Sequence, residues 1–197
     1  MNSEKVIVAA TNNDGKLKEI RSILGNNYKI VSLKDIKCEI QVEEDGNTFE
    51  ENALKKAREV YKKVKLPCLA DDTGLCIKYF NGWPGIKTAR CLGENVTKDE
   101  RNDFILQKMK QIPRRQREAK VITALALVID EKNEIIVKGE LNGYISIEKR
   151  GKNGFGFDEI LETENGKTLA QLSPDEKNKL SSRKKALEKL SEEIIKL

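Results

Sequence analysis

Residues 66–76, Leu-Pro-Cys-Leu-Ala-Asp-Asp-Thr-Gly-Leu-Cys, place the tightest constraint on how this chain can fold. A short apolar run ends in two adjacent carboxylates, Asp71 and Asp72, followed by a hydroxyl, a glycine and a second apolar run. A strand that runs to the edge of a sheet delivers acid groups in this way, and Gly74 permits a tight turn after them. Carboxylates side by side repel, so they either attract a cation or one of them holds its proton more tightly. A hard cation such as Mg²⁺, held by one or two carboxylates and by substrate phosphates, suits that chemistry. In isolation Asp-Asp-Thr-Gly also reads as a solvated turn, so its meaning depends on the rest of the chain.

The flanking pattern is α/β. Residues 5–10 form a short apolar run typical of a buried strand, and Leu17, Ile20 and Leu24 then recur at helical spacing. Between them lie Thr11, Asn12, Asn13, Asp14, Gly15 and Lys16. Strand, glycine-containing loop and helix together suit a phosphate site, with backbone N–H groups facing the anion and Lys16 adding charge. The spacing is not that of a P-loop, and an ordinary strand-to-helix turn capped by Asp14 is the plainer alternative. A second strand over about 28–33 leads to an acidic loop, Glu43-Glu44-Asp45-Gly46. Thr48 and Glu51 have capping-box spacing ahead of a helix whose apolar face is Phe49, Ala53, Leu54, Ala57, Val60, Tyr61 and Val64. The acidic loop is either solvated or supplies a carboxylate to a metal shared with Asp71 and Asp72.

Leu75–Phe80 reads as a strand before the turn Asn81-Gly82-Trp83-Pro84-Gly85. Thr97 and Glu100 open a helix through about Ile112, which Pro113 ends. Arg114, Arg115 and Arg117 read as a solvated basic loop. The apolar stretch 118–130 is of helix-sized length and ambiguous by pattern, but the polar turn 130–134 and the run Ile135-Ile136-Val137 favour a strand hairpin. Its second strand, 135–149, is interrupted at Gly139 and Gly143 by bulges or bends. Gly151–Asp158 is a loop of glycines and phenylalanines, suited either to close approach of a ligand and stacking on a base or to a turn that feeds the core. Ser173-Pro174-Asp175-Glu176 begins a helix, and Ser181-Ser182-Arg183 precedes a terminal one with Ala186, Leu187, Leu190 and Ile194 on one face.

Composition narrows the function classes. With 197 residues, no repeat and no linker, one α/β domain over 1–197 is expected. The net charge of +5 suits a protein that handles a polyanion but falls short of a dedicated nucleic-acid binder. The absence of histidine removes histidine bases, triads and metal sites. Cys38, Cys68, Cys76 and Cys91 show no metal or disulfide spacing and read as reduced thiols. No segment has the length of a membrane span and the start is not a signal peptide, so a cytoplasmic protein is expected.

Taken in order, six motifs resemble the inosine triphosphate pyrophosphatase family, the XTP/dITP diphosphatases that remove non-standard purine nucleotides. They are Ala-Thr-Asn-Asn-Asp-Gly-Lys-Leu-Lys-Glu (10–19), Glu-Glu-Asp-Gly-Asn-Thr-Phe-Glu-Glu-Asn-Ala (43–53), Ala-Asp-Asp-Thr-Gly-Leu (70–75), Pro-Gly-Ile-Lys-Thr-Ala-Arg (84–90), Gly-Phe-Gly-Phe-Asp (154–158) and Glu-Lys-Asn-Lys-Leu-Ser-Ser-Arg (176–183). The resemblance covers nearly the whole chain. It implies a two-lobed α/β domain with a long central mixed β-sheet flanked by helices and an active-site cleft between the lobes. It also implies a homodimer and Mg²⁺-dependent cleavage of ITP, dITP or XTP to the monophosphate and pyrophosphate.

On the matching positions, the resemblance assigns Thr11, Asn12, Asn13, Asp14, Gly15 and Lys16 to the triphosphate. Glu43 and Asp72 fall at the metal, with the adjacent Glu44 as the alternative to Glu43. Asp72 is the favoured general base, with Asp71 beside it. Thr73 keeps the hydroxyl where the family commonly has Ser. Phe155, Gly156, Phe157 and Asp158 contact the base, Phe157 standing where Tyr is common, and Lys177, Ser182 and Arg183 complete the purine and phosphate contacts. One departure affects selectivity: the family's Ser-His-Arg is here Ser181-Ser182-Arg183, and serine cannot stack on a base. The expectation is an active enzyme of weaker or broader base selection. A pyrophosphatase of different base preference, a non-catalytic nucleotide sensor and a polynucleotide binder using the basic cluster are the alternatives, the last disfavoured by the even spread of acids.

Overall fold

The computed structural model describes residues 5–93 and 95–196. Its strands and helices follow in the order β1 (Val6–Ala9), α1 (Asp14–Leu24), β2 (Lys29–Ser32), α2 (Phe49–Val64), β3 (Cys68–Ile77), α3 (Lys98–Lys108), β4 (Glu118–Val128), β5 (Glu134–Ile145), β6 (Leu161–Glu162), α4 (Pro174–Leu180) and α5 (Ser182–Ile195). Among the described residues the strands form one six-stranded sheet of order β2-β1-β3-β4-β5-β6. It is mixed. β1 runs parallel to β2 and to β3, while β5 and β6 are antiparallel. No helix among the described residues is long and apolar enough to cross a membrane.

The chain divides into two compact units, and β3, β4 and β5 contribute residues to both. The first comprises the chain up to Asp72, Thr123–Gly139 and the segment from Ser182 onward. Its core joins Ile7, Ala9, Ile30, Leu69, Leu125 and Leu127 from the strands to Leu17, Ile20 and Leu24 of α1 and Ala186, Leu187 and Leu190 of α5. The helical residues recur at spacings of three and four, so each helix turns one apolar stripe inward. The second unit, Thr73–Ile122 and Glu140–Ser181, has its own core. There Leu75, Ile77, Val121, Leu141 and Ile145 join Ile105 of α3 and Met109 just after it with Ile160, Leu161, Leu169 and Leu172.

Several expectations change. Gly74 makes no turn: β3 runs unbroken from Cys68 to Ile77, so Asp71 and Asp72 sit inside a strand rather than at its end. The segment Lys78–Phe80 is a short 3₁₀ turn rather than strand, and α3 stops at Lys108 rather than near Ile112. Gly139 and Gly143 do not interrupt β5. Both are close approaches. A Cβ on Gly139 would lie 2.1 Å from the Ser182 carbonyl oxygen, and one on Gly143 would lie 2.2 Å from that of Glu162. Arg117 is buried rather than solvated, donating to the carbonyls of Met109, Ile112, Ile145 and Ser146. Five N–H groups in a fixed fork let one arginine donate to several carbonyls at once. Ser182 and Arg183 belong to α5 rather than preceding it.

Candidate active site

The turn after β1 is organised by Asn13 rather than Asp14. The Asn13 side chain accepts from the N–H groups of Gly15 at 2.9 Å and Lys16 at 3.2 Å, and the Asn13 backbone N–H donates to Thr11 Oγ1 at 3.1 Å. Asp14 is exposed in the first turn of α1. A cavity of about 300 Å³ opens beside this turn, lined by Thr11, Asn12, Asn13, Lys16, Val42 and Lys56 among others. Two lysines and a row of amide and hydroxyl groups make it suited to an anion.

Strand geometry separates the two adjacent carboxylates. Successive side chains of a strand point to opposite faces, and Asp71 follows Leu69 to the side where α1 and α5 pack. There Asp71, 2% exposed, has Lys16 Nζ at 2.8 Å and Arg183 Nη2 at 3.0 Å. Arg183 is also paired with Glu19 of α1. Burial would raise the Asp71 pKa, but the charges of Lys16, Arg183 and Lys56 outweigh it and hold the carboxyl well below the usual carboxylate range.

Asp72 turns the other way, toward α2. Asn52 Nδ2 donates to Asp72 Oδ2 at 2.9 Å, and among the described residues Asp72 makes no ion pair. Burial, reinforced by the charge of Glu44, raises its pKa against the opposing Asn52 hydrogen bond. The expected repulsion between carboxylates side by side therefore does not arise from Asp71 and Asp72. One is a pinned anion, the other a basic carboxylate.

Lys56, one helical turn beyond Asn52, completes the group. Its ammonium donates to the Asp71 carbonyl at 3.0 Å and is paired with Glu44. Glu44 is thus the glutamate that the acidic loop brings to the pair, whereas Glu43 is exposed. Sequence reasoning missed Asn52, Lys56 and Glu19. For the first two a signal existed, because an asparagine and a lysine spaced i, i+4 share the helix side that buries Phe49, Ala53, Ala57 and Val60. Glu19 sits among the buried positions of α1, and nothing in the local pattern marks it.

No group of three or more metal-ligating side chains forms among the described residues. Asp72 and Glu44 nevertheless offer hard oxygen donors, Asp72 making no ion pair among the described residues and Glu44 being paired with Lys56. Two carboxylates completed by phosphate oxygens and water is the usual way Mg²⁺ is held, so the residues fit that ion.

The second unit carries the remaining candidates. Asp158 Oδ2 accepts from the Phe155 N–H at 2.7 Å and lies 2.8 Å from Lys177 Nζ, which sits 4.2 Å from the Phe155 ring centroid. Gly154 has a φ of +81°, and a Cβ there would fall 2.0 Å from Asp158 Oδ2, so this position requires glycine. Phe157 packs against the core of this unit. Thr73 follows Asp72 on β3. In the first unit, Ser182 is buried, its hydroxyl 2.8 Å from that of Thr123.

A sequence model described as the Ham1 family matches residues 7–193. The chain belongs to the Ham1 family. It is 44% identical over 193 residues to a dITP/XTP pyrophosphatase of Caldanaerobacter subterraneus, with 96% of each chain covered. It is 42% identical over 189 residues to that of Bacillus subtilis, covering 95% of this chain and 96% of the relative. Among solved structures, a HAM1 protein from Coxiella burnetii superposes with a TM-score of 0.88 at 37% identity, covering 98% of this chain and 99% of that one. The Ham1 protein of Staphylococcus aureus gives 0.86 at 34% identity, covering 96% and 98%. The family read from the six motifs is borne out, and so is the mixed α/β sheet that Ham1 structures share.

Proposed function

We propose that this Ham1 protein hydrolyses non-standard purine nucleoside triphosphates, such as dITP and XTP, to the monophosphate and pyrophosphate. The observation that carries the chemistry is the contrast between Asp71 and Asp72. A carboxylate neutralised by lysine and arginine is a poor proton acceptor, whereas Asp72 accepts a hydrogen bond from Asn52 and makes no ion pair among the described residues. Asp72 therefore takes the proton of the water that attacks the α-phosphorus. Asn52 occupies its Oδ2 and orients the carboxylate.

Lys16 and Lys56 line the anion cavity and stabilise charge building on the departing pyrophosphate. Asp71 holds Lys16 in place, Arg183 holds Asp71, and Glu19 holds Arg183. Bound Mg²⁺, held by Asp72 and Glu44, would neutralise phosphate charge and acidify a bound water. Phe155, Gly156 and Asp158 with Lys177 supply the base contacts. The family resemblance also implies a homodimer, which light scattering of the purified protein checks.

A second reading concerns selectivity. With the Ser182 hydroxyl directed to Thr123, position 182 supplies no group that discriminates among bases, which favours a broader substrate range than a histidine there would allow. One assay separates the readings: purified protein with ITP, XTP and dITP beside ATP, GTP and UTP, with and without Mg²⁺, pyrophosphate and phosphate detected separately. Preference for the deaminated purines, lost with chelator and in Asp72→Asn, supports the main reading. Even turnover across bases supports the second. Nucleotide binding without turnover would leave a sensor.

A further inference from the structure

Three side chains of α3 reach the segment that carries Phe155, Gly156, Phe157 and Asp158. Lys98 Nζ lies 2.7 Å from Glu159 Oε1, and Asp103 Oδ1 lies 2.7 Å from Lys149 Nζ. Between them, Asn102 Nδ2 donates to the Gly156 carbonyl at 3.1 Å. The two ion pairs are partly solvated. Asn102 is different: it is 1% exposed.

The Oδ1 of Asn102 has no hydrogen-bond partner among the described residues. A buried amide with an idle acceptor is disfavoured against an apolar side chain of the same size. Packing alone therefore gives no reason for asparagine at this position, and the bond to Gly156 does. That bond lands where the loop is otherwise least held. Gly156 has a φ of +63° and nothing within 4 Å of the point a Cβ would occupy. Its neighbours are fixed, Phe155 through Asp158 and Phe157 through the core.

We propose that Asn102 is a positioning residue for base recognition. By holding the Gly156 carbonyl it sets the attitude of the Phe155 ring and of the Lys177 ammonium beside it, and so the loop's preference among purines. A loop ordered before the base arrives loses less entropy on binding. The inference rests on the assignment of this loop to the base, so its test carries a control for that assignment.

The variants are Asn102→Leu and Asn102→Asp, with Phe155→Ala as the control and Lys98→Ala/Asp103→Ala for the surface pairs. Each full-length protein is read by KM and kcat for dITP, dATP and dGTP, by hydrogen exchange of amides 153–159, and by thermal midpoint. Asn102→Leu should keep its midpoint, speed loop exchange, and raise KM for dITP roughly two- to tenfold with kcat little changed. Asn102→Asp, which turns an acceptor toward a carbonyl, should move KM and exchange further in the same direction. The surface variant should change both less than either. Unchanged KM and exchange in Asn102→Leu, while Phe155→Ala raises KM, overturns the role of Asn102 alone. No KM effect in Phe155→Ala overturns the base assignment and this inference with it. Unfolding of both Asn102 variants would make the residue a structural one and overturn the proposal, as would a larger effect from the surface pairs.

Discussion

Asp71→Asn and Asp72→Asn remove the same charge from adjacent positions of β3 and should have opposite effects on the stability of the unliganded protein. Removing one partner of a buried ion pair costs roughly 3–5 kcal/mol, because the other charge is left buried without compensation. Asp71 is such a partner, with Lys16 and the buried Arg183 within 3.0 Å. Three features pull the cost to the lower limit. Lys16 is 21% exposed and can regain water, Arg183 keeps Glu19, and the amide oxygen of asparagine still accepts. A loss of about 3 kcal/mol follows, which for a chain of this size lowers Tm by roughly 6–12 °C.

Asp72→Asn removes a buried charge that makes no ion pair among the described residues, and the new amide can still accept from Asn52. Its effect should lie between zero and a gain of about 1 kcal/mol. The assay is urea and thermal unfolding of metal-free protein at pH 7, beside pyrophosphate release. Both variants should be inactive or nearly so, but only Asp71→Asn should be unstable. Equal losses of stability, or a larger loss in Asp72→Asn, would refute the division of roles between the two carboxylates.

Five other outcomes follow from the structure. Asp71 has a folded pKa below its unfolded value, so its contribution to stability is present above about pH 4 and is lost as the pH falls through the folded value. Asp72, whose folded pKa is raised, works in the opposite sense: stability declines as the pH rises from about 4 through its folded value, and Asp72→Asn should flatten that part of an unfolding-versus-pH profile. Glu44→Gln should raise the Mg²⁺ concentration needed for turnover far more than Glu43→Gln, as a metal titration of the rate would show, because Glu44 lies near enough to Asp72 for its charge to act there and Glu43 is exposed. Gly139→Ala should cost about 1–3 kcal/mol in urea unfolding, since its Cβ would fall 2.1 Å from the Ser182 carbonyl and α5 would have to shift. Arg58→Ala, which breaks an exposed pair with Glu134, should change stability by less than about 1 kcal/mol.

Local patterns that carry their own chemistry were legible in the sequence. The strand, loop and helix around Thr11–Lys16, the capping boxes at Thr97 and Ser173, and the hairpin of β4 and β5 all stand where residue type and spacing put them. Thr48 caps α2, but Glu51 reaches back to the N–H of Asn47 instead of closing the box. Errors fall where glycine carries more than one local meaning. Gly74 read as a turn because glycine permits one, yet flanking residues of β3 keep it extended. Gly139 and Gly143 read as bulges, yet each marks backbone approaching from elsewhere in the chain, which no local pattern encodes.

The sequence by itself determined the family, the alternation of strands and helices, and the chemical types present at the site: acids, lysines and a glycine-aromatic loop, with no histidine. Tertiary structure alone decided how those groups are used. Asp71 and Asp72 are neighbours in sequence and face opposite sides of one strand, so one meets Lys16 and Arg183 and the other meets Asn52. Glu19 and Arg183 stand 164 positions apart and share an ion pair. A side chain's pKa and partners depend on its surroundings through space, at distances of a few ångströms, whereas spacing along the chain reports only the face of an element on which that side chain lies.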